Sequence, residues 1–62
     1  MAKWIEKAVG MMHTNKITNK DIAAKLGVTP EYISMILNEK KTPKNAQQDV
    51  LSAIEAIRAE RK

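Results

Sequence analysis

Apolar residues recur along this chain at three- and four-residue intervals, and no stretch alternates with a period of two. That spacing predicts helices and gives strands no support. In residues 2–13, Trp4, Ile5, Ala8, Val9, Met11 and Met12 fall within an arc of roughly 160° at helical pitch. Lys3, Glu6, Lys7 and Gly10 take the opposite side. An amphipathic helix of this kind can also lie on a membrane surface, but a polar face with two lysines is a weak one. Trp4 and the methionines are therefore read as core, and His13 as the helix end, where an imidazole meets the C-terminal carbonyls favourably.

After a polar break at 13–16, Thr18-Asn19-Lys20-Asp21 has the form of a capping box. Ile22, Ala23 and Leu26 follow, and Gly27 stops a helix of about eight residues. Thr29-Pro30-Glu31 then combines a cap, a proline at the first helical position and an acid in the first turn. A third helix is expected over about 30–38, with Ile33, Ile36 and Leu37 inward. Two helices joined this tightly cannot run antiparallel, and the connection suits a helix-turn-helix crossing. Beyond a loop at 39–44, Asn45 and Gln48 suggest a cap pair for a fourth helix over about 45–61. Ala46, Val50, Ala53, Ile54 and Ile57 share one of its faces, and Glu55 and Arg58 can pair on the outside. Leu26 and Ile36 are expected at the centre of the core.

Length and composition narrow the function. With 62 residues, 44% of them hydrophobic, residues 1–62 are expected to make one all-α domain with one modest core. There is no Cys, which excludes disulfides and thiolate metal sites. The single His has no companion for a metal, and no paired acid and base, nucleophile or phosphate loop supports an enzyme or a small-molecule substrate. No cofactor is expected. No apolar run reaches membrane-span length and no signal-peptide shape opens the chain, so no membrane role is expected and the cytoplasm is the expected location.

The formal net charge is +4. Three of those charges lie within 16–44, where Lys16, Lys20, Lys25, Lys40, Lys41 and Lys44 outnumber Asp21, Glu31 and Glu39. On the third helix, Glu31, Met35 and Asn38 point away from the core, Ser34 and Tyr32 flank them, and Thr29 and Pro30 stand at the helix start. An exposed Met among polar residues suits a helix that docks against something. A helix fits the DNA major groove, and lysines on both flanks would meet phosphates.

Ala23, Gly27, Val28, Ile33 and Ile36 stand at helix-turn-helix intervals, and across 18–43 the chain resembles the lambda-repressor-like family of Cro, phage repressors and XRE-type regulators. The resemblance implies a compact bundle of four or five helices, double-stranded DNA as ligand, the third helix as recognition helix, and a homodimer on a two-fold operator. Carried over by position, Asn19 and Lys20 touch a phosphate. Thr29, Pro30, Glu31, Tyr32, Ser34, Met35 and Asn38 face base edges or adjoining backbone, and Lys40 and Lys41 grip the far side of the groove. Two departures stand out: Asn19 replaces the frequent Gln, and the outward face carries no Arg, Lys or Gln. Met35 is expected to meet a thymine methyl. Glu31 either accepts from a cytosine amino group or only stabilises its helix terminus. The far end of helix four, with Ile54, Ile57 and Arg61, is the candidate dimer surface unless those residues are core. The competing function is a small helical adaptor or antirepressor that binds protein through Met35 and Tyr32.

Overall fold

The computed structural model describes residues 2–61, and among them the regular structure is entirely helical: α1 (Lys3–Asn15), α2 (Asn19–Leu26), α3 (Pro30–Leu37) and α4 (Ala46–Glu60). The bundle has four helices, the lower of the two expected numbers. Helix α2 packs on both α3 and α4, and α4 also packs on α1. The core joins all four through Ile5, Ala8 and Met12 of α1, Ile22 and Ala23 of α2, Ile33, Ile36 and Leu37 of α3, and Val50, Ala53, Ile54 and Ile57 of α4.

Local chemistry sets the helix starts. Thr18 Oγ1 accepts from the Asp21 N–H at 3.2 Å while Asp21 Oδ2 accepts from the Thr18 N–H at 2.9 Å, so the capping box is closed in both directions. Thr29 Oγ1 accepts from the Tyr32 N–H at 3.2 Å, with Pro30 at the first helical position. The expected cap pair at α4 does not form. Asn45 has ψ 17°, outside the extended region from which a cap side chain reaches the first-turn amides, and makes no side-chain cap bond.

Three helices end in the left-handed region, at Lys16 (φ 56°), Gly27 (φ 73°) and Glu39 (φ 60°). At each end an amide reaches back five residues in the Schellman pattern: Ile17 N–H to Met12 O at 2.8 Å, Val28 N–H to Ala23 O at 3.0 Å, and Lys40 N–H to Met35 O at 2.8 Å. Buried Ile17 adds the apolar contact that accompanies such an end. Helix α1 therefore runs two residues past His13, which lies exposed in its last turn, and Asn15 Nδ2 secures that turn by donating to Met11 O at 2.8 Å.

Several core expectations are corrected. Val9 is 41% exposed, because it sits at the very edge of the α1 arc. Trp4 and Met11, near the other edge, are half-buried against the core rather than within it. Leu26, the last residue of a short helix, is also only half-buried, whereas Ile36 is in the core as expected. Ile54 and Ile57 are buried within this chain, 0% and 6% exposed, because α4 is covered by α1 and α2 together. They are core and form no dimer surface.

Candidate nucleic-acid interface

Burial of Ile33, Ile36 and Leu37 turns the opposite side of α3 outward. Glu31, Ser34, Met35 and Asn38 border one shallow surface depression together with Lys40. Met35 is 37% exposed, a large apolar side chain left without cover, and Glu31 and Asn38 are exposed on either side of it. Thr29 and Pro30 are exposed at the helix start. The Thr29 hydroxyl oxygen is committed to its cap, which leaves its proton to donate.

The end of α3 explains how Lys40 comes to that face. With Glu39 left-handed, the Lys40 and Lys41 amides both donate to Met35 O, at 2.8 and 3.2 Å, and the loop is wrapped against the last turn. The Glu39 carboxylate is itself occupied, accepting from the Ala2 N–H at 2.7 Å. At the start of α2, Lys20 is exposed and Asn19 half-buried.

Ion pairing separates the basic residues more sharply than the sequence could. Lys25 is paired with Glu60 of α4, whereas Lys16, Lys20, Lys40, Lys41 and Lys44 have no ion-pair partner among the described residues. Asp21 is held by Thr18 and Arg61, and its carboxyl sits below the usual range, chiefly because it accepts the Thr18 backbone N–H, with the Arg61 charge adding to the effect. Glu31 carries the acid left uncommitted in this stretch, again among the described residues. Tyr32, at the flank of the outward face, is half-buried and packed on the core, so less of it faces outward than of Met35. A feature that helical periodicity did not reveal is that Asn38 Nδ2 donates to both Ser34 O, at 2.8 Å, and Ser34 Oγ, at 3.2 Å. The signal was present as two polar residues four apart at a helix end.

A four-helix core with a tight α2–α3 turn, an outward α3 and lysines at the start of α2 and just after α3 that are unpaired among the described residues defines a DNA-binding helix-turn-helix domain of the kind found in transcription regulators. The helix-turn-helix family model matches residues 14–57. The chain belongs to the lambda-repressor-like, or XRE-type, helix-turn-helix family. It matches no curated protein and no solved structure. No helix among the described residues is long and apolar enough to cross a membrane.

Proposed function

We propose that the protein is a sequence-specific regulator of the Cro or repressor type, which occupies an operator in double-stranded DNA and so blocks polymerase. In this reading the segment 30–38 enters the major groove. Glu31, Ser34, Met35 and Asn38 meet base edges, and Thr29, Pro30 and Tyr32 meet base edges or the adjoining backbone. Asn19 and Lys20 hold one phosphate strand, and Lys40 and Lys41 hold the other. The observation that carries it is the pairing pattern: Lys16 and Lys20 around the start of α2 and Lys40 and Lys41 just after α3 are unpaired among the described residues, while Lys25, which lies against α4, is neutralised by Glu60. Freely solvated lysines at the start of α2 and just beyond the docking helix are what phosphate contacts require.

The reading includes binding as a homodimer to half-sites about one helical turn apart, the arrangement used by helix-turn-helix repressors. With Ile54 and Ile57 in the core, the pairing face lies elsewhere than the far end of α4.

The test is fluorescence anisotropy of labelled random duplex at about 50 and 200 mM salt. A protein that neutralises several phosphates loses a factor of ten or more in affinity over that range. Binding at the lower salt that weakens by this factor, followed by selection of a preferred sequence, bears the proposal out. Absence of duplex binding at 50 mM salt overturns it in favour of a protein-binding adaptor anchored on Met35.

A further inference from the structure

The Ser34–Asn38 hydrogen bonds determine which base this helix can read, if α3 is the recognition helix proposed above. An amide side chain has two N–H donors and one carbonyl acceptor. In Asn38 the amide nitrogen is turned back onto its own helix, donating to Ser34 O at 2.8 Å and to Ser34 Oγ at 3.2 Å. The familiar fork of an asparagine on adenine uses Nδ2 on N7 and Oδ1 on the N6 amino group. Here the donor half of that fork is already spent, and what Asn38 has left to offer is the acceptor Oδ1.

The missing donor stands beside it. The Ser34 hydroxyl oxygen accepts from Asn38, and its proton has no acceptor among the described residues. Residues four apart lie over one another on a helix face, and both border the depression that also holds Glu31, Met35 and Lys40. Two side chains thus form one composite reading head: a donor from Ser34 next to an acceptor from Asn38, each oriented by the bond between them.

We propose that Ser34 and Asn38 act together as the specificity-determining pair for an adenine, the Ser34 O–H donating to N7 and Asn38 Oδ1 accepting from the N6 amino group. In the major groove adenine is the base that sets an acceptor beside a donor. Guanine sets two acceptors there, so its O6 faces the Asn38 oxygen and is repelled, while cytosine and thymine lack the N7 acceptor. Because the amide is held before DNA arrives, it loses less freedom on binding than a free asparagine would.

The experiment is a double cycle on the operator selected with the unmodified protein, crossing Ser34→Ala and Asn38→Ala with adenine analogues. Each adenine in turn is replaced by 7-deazaadenine, which lacks N7, or by purine, which lacks the amino group. Circular dichroism first establishes that both variants fold. At one adenine, 7-deazaadenine costs the parent roughly tenfold in affinity and costs the Ser34→Ala protein nothing further. At the same base, purine costs the parent a similar factor and the Asn38→Ala protein nothing further. Equal losses for parent and variants at every adenine overturn the pair while leaving DNA binding standing. Coupling of Asn38 to both N7 and the amino group also overturns it, because the amide has then left Ser34 to make the ordinary fork. Failure to bind any duplex removes the recognition-helix reading and the pair with it.

Discussion

Arg61 Nη2 lies 3.2 Å from Asp21 Oδ2, so the end of α4 is tied to the capping box that opens α2. The same guanidinium donates through Nη1 to Asn15 O at 2.8 Å and to Lys16 O at 3.0 Å. One cation therefore satisfies terminal carbonyls of α1, where positive charge is favoured, and one carboxylate of α2. This explains why a residue suggested as part of a dimer surface is instead spent within the chain.

Asp21 should make the fold acid-sensitive. Its carboxyl is depressed in the folded state, first by the Thr18 backbone N–H and also by Arg61. A depressed acid contributes stability that is fully present above the ordinary aspartate pKa and is lost as pH falls through the folded value. Urea denaturation of the parent and of Asp21→Asn should therefore differ most at neutral pH and converge in strong acid. A gap that stays constant with pH would show that the carboxylate charge does not act in this way.

The left-handed helix ends offer a paired test of opposite sign. Lys16 holds φ 56° without being glycine, and Lys16→Gly should raise stability by roughly 0.5–1 kcal/mol by relieving the Cβ–carbonyl crowding. Gly27→Ala meets no atom within 4 Å of the new Cβ, so its cost is conformational alone, about 1 kcal/mol. Thermal denaturation of both variants reads the two signs. A stable Gly27→Ala protein would mean the turn tolerates another backbone geometry.

Core burial predicts larger losses. Ile54 is fully buried, and Ile54→Ala should cost about 2–5 kcal/mol. A chain of this length has only about 3–9 kcal/mol to lose. Leu26→Ala, at a half-buried site, should cost distinctly less than Ile36→Ala. Ile57→Asp places a charge in the core and should abolish the helical signal of the isolated chain. A helical Ile57→Asp protein with reduced self-association would restore the dimer-surface assignment that burial has removed.

What was legible in the sequence was what acts locally. Thr18, Thr29 and Pro30 announce helix starts because their side chains and ring act on backbone within three residues. Lys16 and Glu39 announced nothing, since no side-chain preference of their own favours the left-handed region. At Lys16 that conformation is imposed by the burial of the next residue, Ile17. Periodicity gave the direction of each apolar face but not its depth: Val9 lies at the rim of its face and Leu26 at the end of a short helix, and no neighbouring helix fully covers either. The fate of Ile54 and Ile57 depended on α4 being covered from two sides, which no single helix pattern contains. At the candidate site the outward set Glu31, Met35 and Asn38 was readable from helical periodicity alone. The pairing of Lys25 with Glu60 and the folding of Asn38 onto Ser34 are tertiary and side-chain facts that periodicity could not supply.

The lysines should separate in their salt dependence. Replacing Lys40 or Lys41 by Gln should weaken duplex binding about equally for all sequences. It should also reduce the salt slope by about 0.9 for each phosphate contact removed. Lys25→Gln should leave the slope unchanged, because that ammonium is already paired with Glu60. Equal effects of Lys25 and Lys40 would mean that only overall charge matters.

Glu31 should act in two directions at once. Its carboxylate is exposed in the first turn of α3, where it stabilises the helix terminus, and it has no hydrogen-bond or ion-pair partner among the described residues. Near phosphates such a charge is repulsive, so Glu31→Gln should strengthen binding to random duplex. If the carboxylate also accepts from a cytosine amino group, the same change should erase roughly 1–3 kcal/mol of discrimination at one operator position, because glutamine both donates and accepts. Selection with the parent and the variant reads both effects. Tighter random binding with an unchanged operator preference would leave Glu31 as a repulsive gate and helix-end charge. Loss of preference at a single cytosine would make it the residue that reads that base.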